Sequence, residues 1–222
     1  MTKRQMLLGF AAMSLSFASV MTARANMFSY DAQYLVGPAS FTIVGWGSAN
    51  GTANIRFNST PDTVSAGLFQ ISPPQQSTSY VACVDLQNFI NFGNSYTYQV
   101  WYAEGRAGAL AALYYSIDWN NPAQAVGFQL ALWELVYDSY NNPLNDNLSR
   151  GNFIVTSSTP PGAISQAQFF LSQARGAAPY FYLRAAGPHQ DLILVPYVPE
   201  PASLLALGVG VAGVALRRRR RA

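Results

Sequence analysis

The 222-residue chain predicts an α+β fold: an antiparallel β-sandwich or barrel-like body with an inserted helical subdomain, preceded by a signal peptide and followed by a short C-terminal transmembrane helix. Three observations carry this expectation. Short β-rich runs broken by Gly, Pro and Asn fill the first half, helical spacing takes over from Leu110, and apolar runs flanked by basic residues stand at both ends. The organisation that follows is a signal peptide over residues 1–25, one body over 26–197 and a tail over 198–222.

Lys3 and Arg4 precede the apolar run Met6 to Met21, and Ala23-Arg24-Ala25 offers the small-x-small pattern that signal peptidase cuts, placing Asn26 at the mature N-terminus. In the body, Ser40 to Trp46 is β-rich, Asn50-Gly51 reads as a hairpin turn, and Thr52 to Phe57 alternates with Ala53, Ile55 and Phe57 on one face. Gly67 to Ile71 is a weaker strand before a Pro73-Pro74-Gln75-Gln76-Ser77 loop. Ser79 to Leu86 and Ser95 to Trp101 then read as strands. Leu110, Leu113, Tyr114 and Ile117 fall at helical spacing. Asn120-Asn121-Pro122 supplies a cap followed by a first-turn proline, opening a helix to about Asp138. Gly162 to Ala174 is a further amphipathic stretch stopped by Gly176, and Asn152 to Thr156, Tyr180 to Arg184 and Asp191 to Val195 are strand-like.

The tail has a fixed order: Pro199-Glu200-Pro201, an uncharged run from Ala202 to Leu216, then Arg217, Arg218, Arg219, Arg220 and Arg221. The prolines break any helix arriving from the body, the apolar run can enter a bilayer, and the arginines stay cytoplasmic, so the body lies outside. The run is shorter than the roughly 20 residues that a comfortable span needs, which suits a transient hold on the membrane. This tail closely resembles the PEP-CTERM sorting signal of Gram-negative bacteria, which implies presentation to an exosortase. The resemblance implies an inner-membrane intermediate and then the cell surface or extracellular matrix.

The chain's net charge of +3 belongs to its ends: Lys3, Arg4, Arg24 and the five tail arginines are eight of the 13 basic residues. The body holds five arginines against nine acids, net −4, and has no lysine, which removes any case for a nucleic-acid partner. Cys83 is the sole cysteine and cannot form an internal disulfide. Three fates are open to it: burial as a small hydrophobe, a disulfide between two chains, or an acyl partner.

Gln129 is the candidate partner. With Val126 at the origin of a helical wheel, Gly127, Ala131, Glu134 and Asp138 fall between roughly 80° and 140°, the expected solvent face, and Gln129 falls near 300° beside Val136 and Trp133. A core-facing primary amide must be hydrogen-bonded or chemically used, since an unpartnered one costs about 1–3 kcal/mol. Cys83-Val84-Asp85 followed by Phe128-Gln129-Leu130-Ala131-Leu132-Trp133-Glu134 is similar to the paired motifs of bacterial thioester domains, with Ala82 where that family usually has an aromatic residue and Phe128 replacing the threonine of one variant. The resemblance implies an internal Cys83–Gln129 thioester for single-use covalent attachment to an external amine or hydroxyl on a surface protein or polysaccharide, with no turnover and no cofactor. Asp85 would handle protons or orient the attacking group, and Trp133 and Tyr137 would shield the bond from water. A lysine-free body would not spend the electrophile on itself. The alternative is a passive surface or exopolysaccharide-associated structural protein with Cys83 and Gln129 buried and unreacted.

An enzyme reading has less to stand on. Cys83, His189 and Asp191 occur in an order that a cysteine hydrolase could use, but Gly187-Pro188-His189-Gln190 reads as an exposed turn and no cysteine-protease signature surrounds Cys83. One cysteine and one histidine without spaced carboxylates do not make a metal site. If the ends are read correctly, N-terminal sequencing of the exported protein begins at Asn26; a chain that still begins upstream of Ala25 would overturn the cleavage assignment.

Overall fold

The computed structural model describes residues 32–75, 78–139 and 146–195; the expected signal peptide, transmembrane run and arginine cluster lie outside them. Among the described residues, nine strands and three helices follow in order. The strands are β1 (Ala32–Trp46), β2 (Gly51–Phe57), β3 (Thr60–Ala66), β4 (Phe69–Gln75), β5 (Thr78–Cys83), β6 (Ser95–Gly105), β7 (Phe153–Thr159), β8 (Ala178–Ala185) and β9 (Leu192–Val195). The helices are α1 (Arg106–Ala111), which tightens into a 3-10 turn over Ala112–Ser116, α2 (Pro122–Glu134), which ends in a π turn over Leu135–Ser139, and α3 (Ala163–Gln173).

Six strands close an antiparallel barrel in the order β1-β4-β5-β9-β8-β6, so of the two expected bodies the barrel is the one formed. Its interior is solid, because a ring this small leaves room only for side chains. Phe41 stacks on Tyr98 with ring centroids 4.9 Å apart, and Ile43, Val81, Leu183 and Ile193 are buried around them. All four residues of β9 are buried, which is what a strand covered on both faces requires.

Two insertions leave this barrel and meet. Between β1 and β4 the chain departs as the β2–β3 hairpin; between β6 and β8 it departs as the helices and β7, which pairs with β2 to give a second sheet ordered β3-β2-β7. Asn121 caps α2 by accepting a hydrogen bond from the Ala123 N–H, with Pro122 in the first turn. Arg106 ties the start of α1 to the end of α3 by donating to the Ala174 carbonyl, and its guanidinium forks onto Asp146.

Three expectations are corrected. Asn50-Gly51 is not a hairpin turn: β1 and β2 belong to different sheets, and the hairpin reverses at Asn58 and Ser59, both at positive φ. Gly51 is glycine because a Cβ there would overlap the Thr159 carbonyl and Pro160. Pro73 and Pro74 belong to β4 rather than to a loop; they sit where the β4–β5 register skips from Gln70 to Gln75, so the ladder asks them for no N–H. The remainder of that expected loop, Gln76 and Ser77, lies outside the described residues.

The third correction concerns α2. Gly127, Ala131 and Glu134 are buried, not solvent-facing, and every residue from Ala125 to Glu134 is buried. Small residues on that face allow close approach to α3: a Cβ on Gly127 would crowd the Ala163 carbonyl and the Ala167 N–H. Asp138, also placed on that face, accepts hydrogen bonds from the Asn152 and Phe153 N–H groups and fixes the start of β7. Gly51→Ala should therefore destabilise the protein by about 1–3 kcal/mol, read by urea unfolding; an unchanged midpoint would contradict the close approach.

Candidate functional site

Cys83 is the last residue of β5, paired opposite Leu192, and the Val84 N–H extends that ladder by donating to the Asp191 carbonyl at 2.9 Å. The chain turns at once. The Asp85 carboxylate accepts from the Gln87 N–H at 2.8 Å and from the Asn88 amide, a local side-chain turn that ends the strand. Leu86 donates its N–H to the Tyr137 hydroxyl at 2.9 Å, and the Gln190 amide donates to the Asp85 carbonyl at 3.1 Å, so the segment after the cysteine is held from two sides.

Gln129 reaches this strand end from the middle of α2. Its carboxamide forms a two-pronged contact with the Cys83 backbone: Nε2 donates to the Cys83 carbonyl at 2.6 Å, and Oε1 accepts from the Cys83 N–H at 3.2 Å. Cys83 is 3% exposed and Gln129 fully buried. A thiol and an acyl carbon, 46 residues apart in sequence, thus share one closed site where the helical insertion meets the barrel. Oε1 already faces a backbone donor, the arrangement that stabilises negative charge on a carbonyl oxygen under attack.

The Cys83 thiol donates to the Asp85 carbonyl at 2.9 Å. Burial pushes this thiol well above its ordinary value, the influence of the Trp133 side chain draws it down, and the negative charge of Asp191 raises it further. Trp133 stands one helical turn beyond Gln129, 2% exposed, edge-on to Phe153. Tyr137 supplies its hydroxyl to the Leu86 N–H.

The residues singled out in the sequence fall into place unevenly. Cys83, Gln129 and Trp133 converge on one volume. Asp85 lies beyond the strand end, its carboxylate serves the turn, and its carbonyl is what meets the thiol. His189 packs against the rings of Tyr96 and Tyr98, while the Asp191 carboxylate holds the Tyr182 hydroxyl and the Ala185 N–H. Sequence reasoning passes over Tyr98, whose buried hydroxyl lacks a hydrogen-bond partner and is pushed well above its ordinary value by burial and by Asp191. A tyrosine in a strand carries no signal that separates it from ordinary core.

Among the described residues no helix is long and apolar enough to cross a membrane, and Ala202 to Leu216 lies outside them. Residues 198–220 match the family described as the PEP-CTERM protein-sorting motif, a span that takes in Pro199, Glu200, Pro201 and Arg217 to Arg220. The chain is therefore an exported protein sorted by an exosortase to the cell surface or extracellular space. The match stops at the tail. No curated protein and no solved structure matches the chain.

Glu134, one residue beyond Trp133, shows what burial does to charge near this site. Burial pushes its carboxyl up to about 8, against the Asn147 N–H donated at 3.0 Å, with Asp138 and Asp146 raising it and Arg106 lowering it. The folded state then holds a proton that the unfolded chain releases from about 4.5 upward, so stability falls as pH rises from about 4.5 through about 8. Thermal melts across this range should show that decline, and Glu134→Gln should flatten it; an equal decline in the variant would remove Glu134 as its source.

Proposed function

We propose that the exported body is a single-use covalent adhesive armed by a thioester between Cys83 and Gln129. The observation that supports this reading is the two-pronged contact of the Gln129 carboxamide with the Cys83 backbone, which holds the acyl group beside the only thiol in the chain. In the arming step the Cys83 sulfur attacks the Gln129 carbonyl carbon. A carbon–sulfur bond forms, the carbon–nitrogen bond breaks, and ammonia leaves with the thiol proton. The Cys83 N–H holds the oxygen while it carries charge.

In use, an external amine or hydroxyl attacks the same carbon. The carbon–sulfur bond breaks and the proton of the attacking group passes to sulfur, leaving the target joined to Gln129. The protein reacts once and does not turn over, so it is not an enzyme. Signal peptidase and the exosortase act on it during export, its membrane association is transient, and its target is a surface protein or polysaccharide. Burial of both groups keeps water from the bond until a nucleophile is admitted.

One observation favours a second reading, the passive surface protein. The same two hydrogen bonds satisfy a buried amide, and the thiol already has an acceptor, so the pair also works as a clip between helix and strand. Intact mass of the freshly purified exported protein separates the two. The thioester predicts loss of one ammonia relative to the mature sequence, abolished in Cys83→Ala and in Gln129→Ala, and methylamine uptake at Gln129. Full mass with a freely titratable Cys83 leaves only the clip.

A further inference from the structure

Trp133 carries a donor with no settled role. Its indole Nε1–H is buried and makes no hydrogen bond of regular geometry, although such a buried N–H costs about 1–3 kcal/mol when left unused. Gln129 and Trp133 are four residues apart on α2 and so lie on one face, one above the other, and the Gln129 end of that face abuts Cys83.

We propose that Trp133 is the thiolate-stabilising donor of this site, its indole N–H holding the Cys83 sulfur while that atom carries negative charge. The inference rests on the thioester reading and adds a group to its chemistry. When an amine attacks the Gln129 carbonyl carbon, the electron pair of the breaking carbon–sulfur bond goes to sulfur. In this buried setting sulfur has no water to receive it, and the Asp85 carbonyl that accepts from the neutral thiol repels a thiolate. Asp191 opposes the charge as well, and of the influences on the thiol Trp133 is the one that favours its charged form. The indole donates without carrying charge of its own, so it serves the thiolate without an ion to desolvate when sulfur is neutral. Tyr98, whose buried hydroxyl also lacks a hydrogen-bond partner, stands on β6 and does not share this helix face.

The test uses Trp133→Phe, which removes the N–H and keeps an aromatic ring. In the otherwise unaltered protein, methylamine-driven release of the Cys83 thiol should slow about tenfold, the equivalent of one hydrogen bond. In the Gln129→Ala background, where the thiol is permanently free, the pH profile of Cys83 alkylation should move to higher pH when Trp133→Phe is added. A role confined to packing would change stability and leave that profile in place. Unaltered protein without ammonia loss would sink the thioester itself. A thioester present in both proteins, released at equal rates and with superimposable alkylation profiles, would sink the role of Trp133 alone.

Discussion

Burial of α2 on every side is the constraint from which the rest of the structure follows. A helix at the surface can turn its polar residues to water; this one is enclosed from Ala125 to Glu134, so its polar side chains must look for partners within the protein. Gln129 does so on the end of β5 and Glu134 on the backbone of Asn147. The first contact joins the helix to a strand 46 residues away and so sets how the insertion sits on the barrel, while the second ties the helix to a nearer segment of the same insertion.

The barrel and its two insertions divide the work. Six strands supply a filled cylinder with no open edges, and the insertions supply a second sheet and the helices that cover it. The site lies where the two parts meet, with the Cys83 thiol at a strand end and the Gln129 carboxamide on a helix. A junction of this kind is held by two rigid elements, and that keeps the Gln129 carboxamide on the Cys83 backbone without a flexible loop between them. It also excludes water, which protects a free thiol outside the cytoplasm and equally protects a labile bond.

Much of the local structure is legible in the residues. The Asn121 cap and Pro122 open α2 where they should, and the alternation of Ala53, Ile55 and Phe57 places β2 with its inner face on the core. What misleads is chemistry shared by two situations. Asn-Gly marks a tight turn and also permits backbones to touch; only the neighbouring Thr159 carbonyl decides that Gly51 does the second. Small and acidic residues mark a solvent face and also a close helix crossing, and the packing of α3 decides that Gly127 and Ala131 belong to the latter. Asp85 fails for a simpler reason. Strand alternation would have carried its carboxylate to the cysteine's face, but the strand stops at Cys83.

From the residues alone come the targeting ends, the acidic lysine-free body between them, the mixture of strands and helices, and the singling out of Cys83 and Gln129. These are properties of local composition, spacing and periodicity, which need no knowledge of what touches what. Tertiary structure alone decides that the strands close into a barrel, that α2 is enclosed from Ala125 to Glu134, that Gln129 grips the Cys83 backbone, and that the Trp133 indole N–H is buried without a hydrogen-bond partner. Each of those depends on contacts between segments tens of residues apart, and a one-dimensional pattern holds no record of which buried donor finds which acceptor.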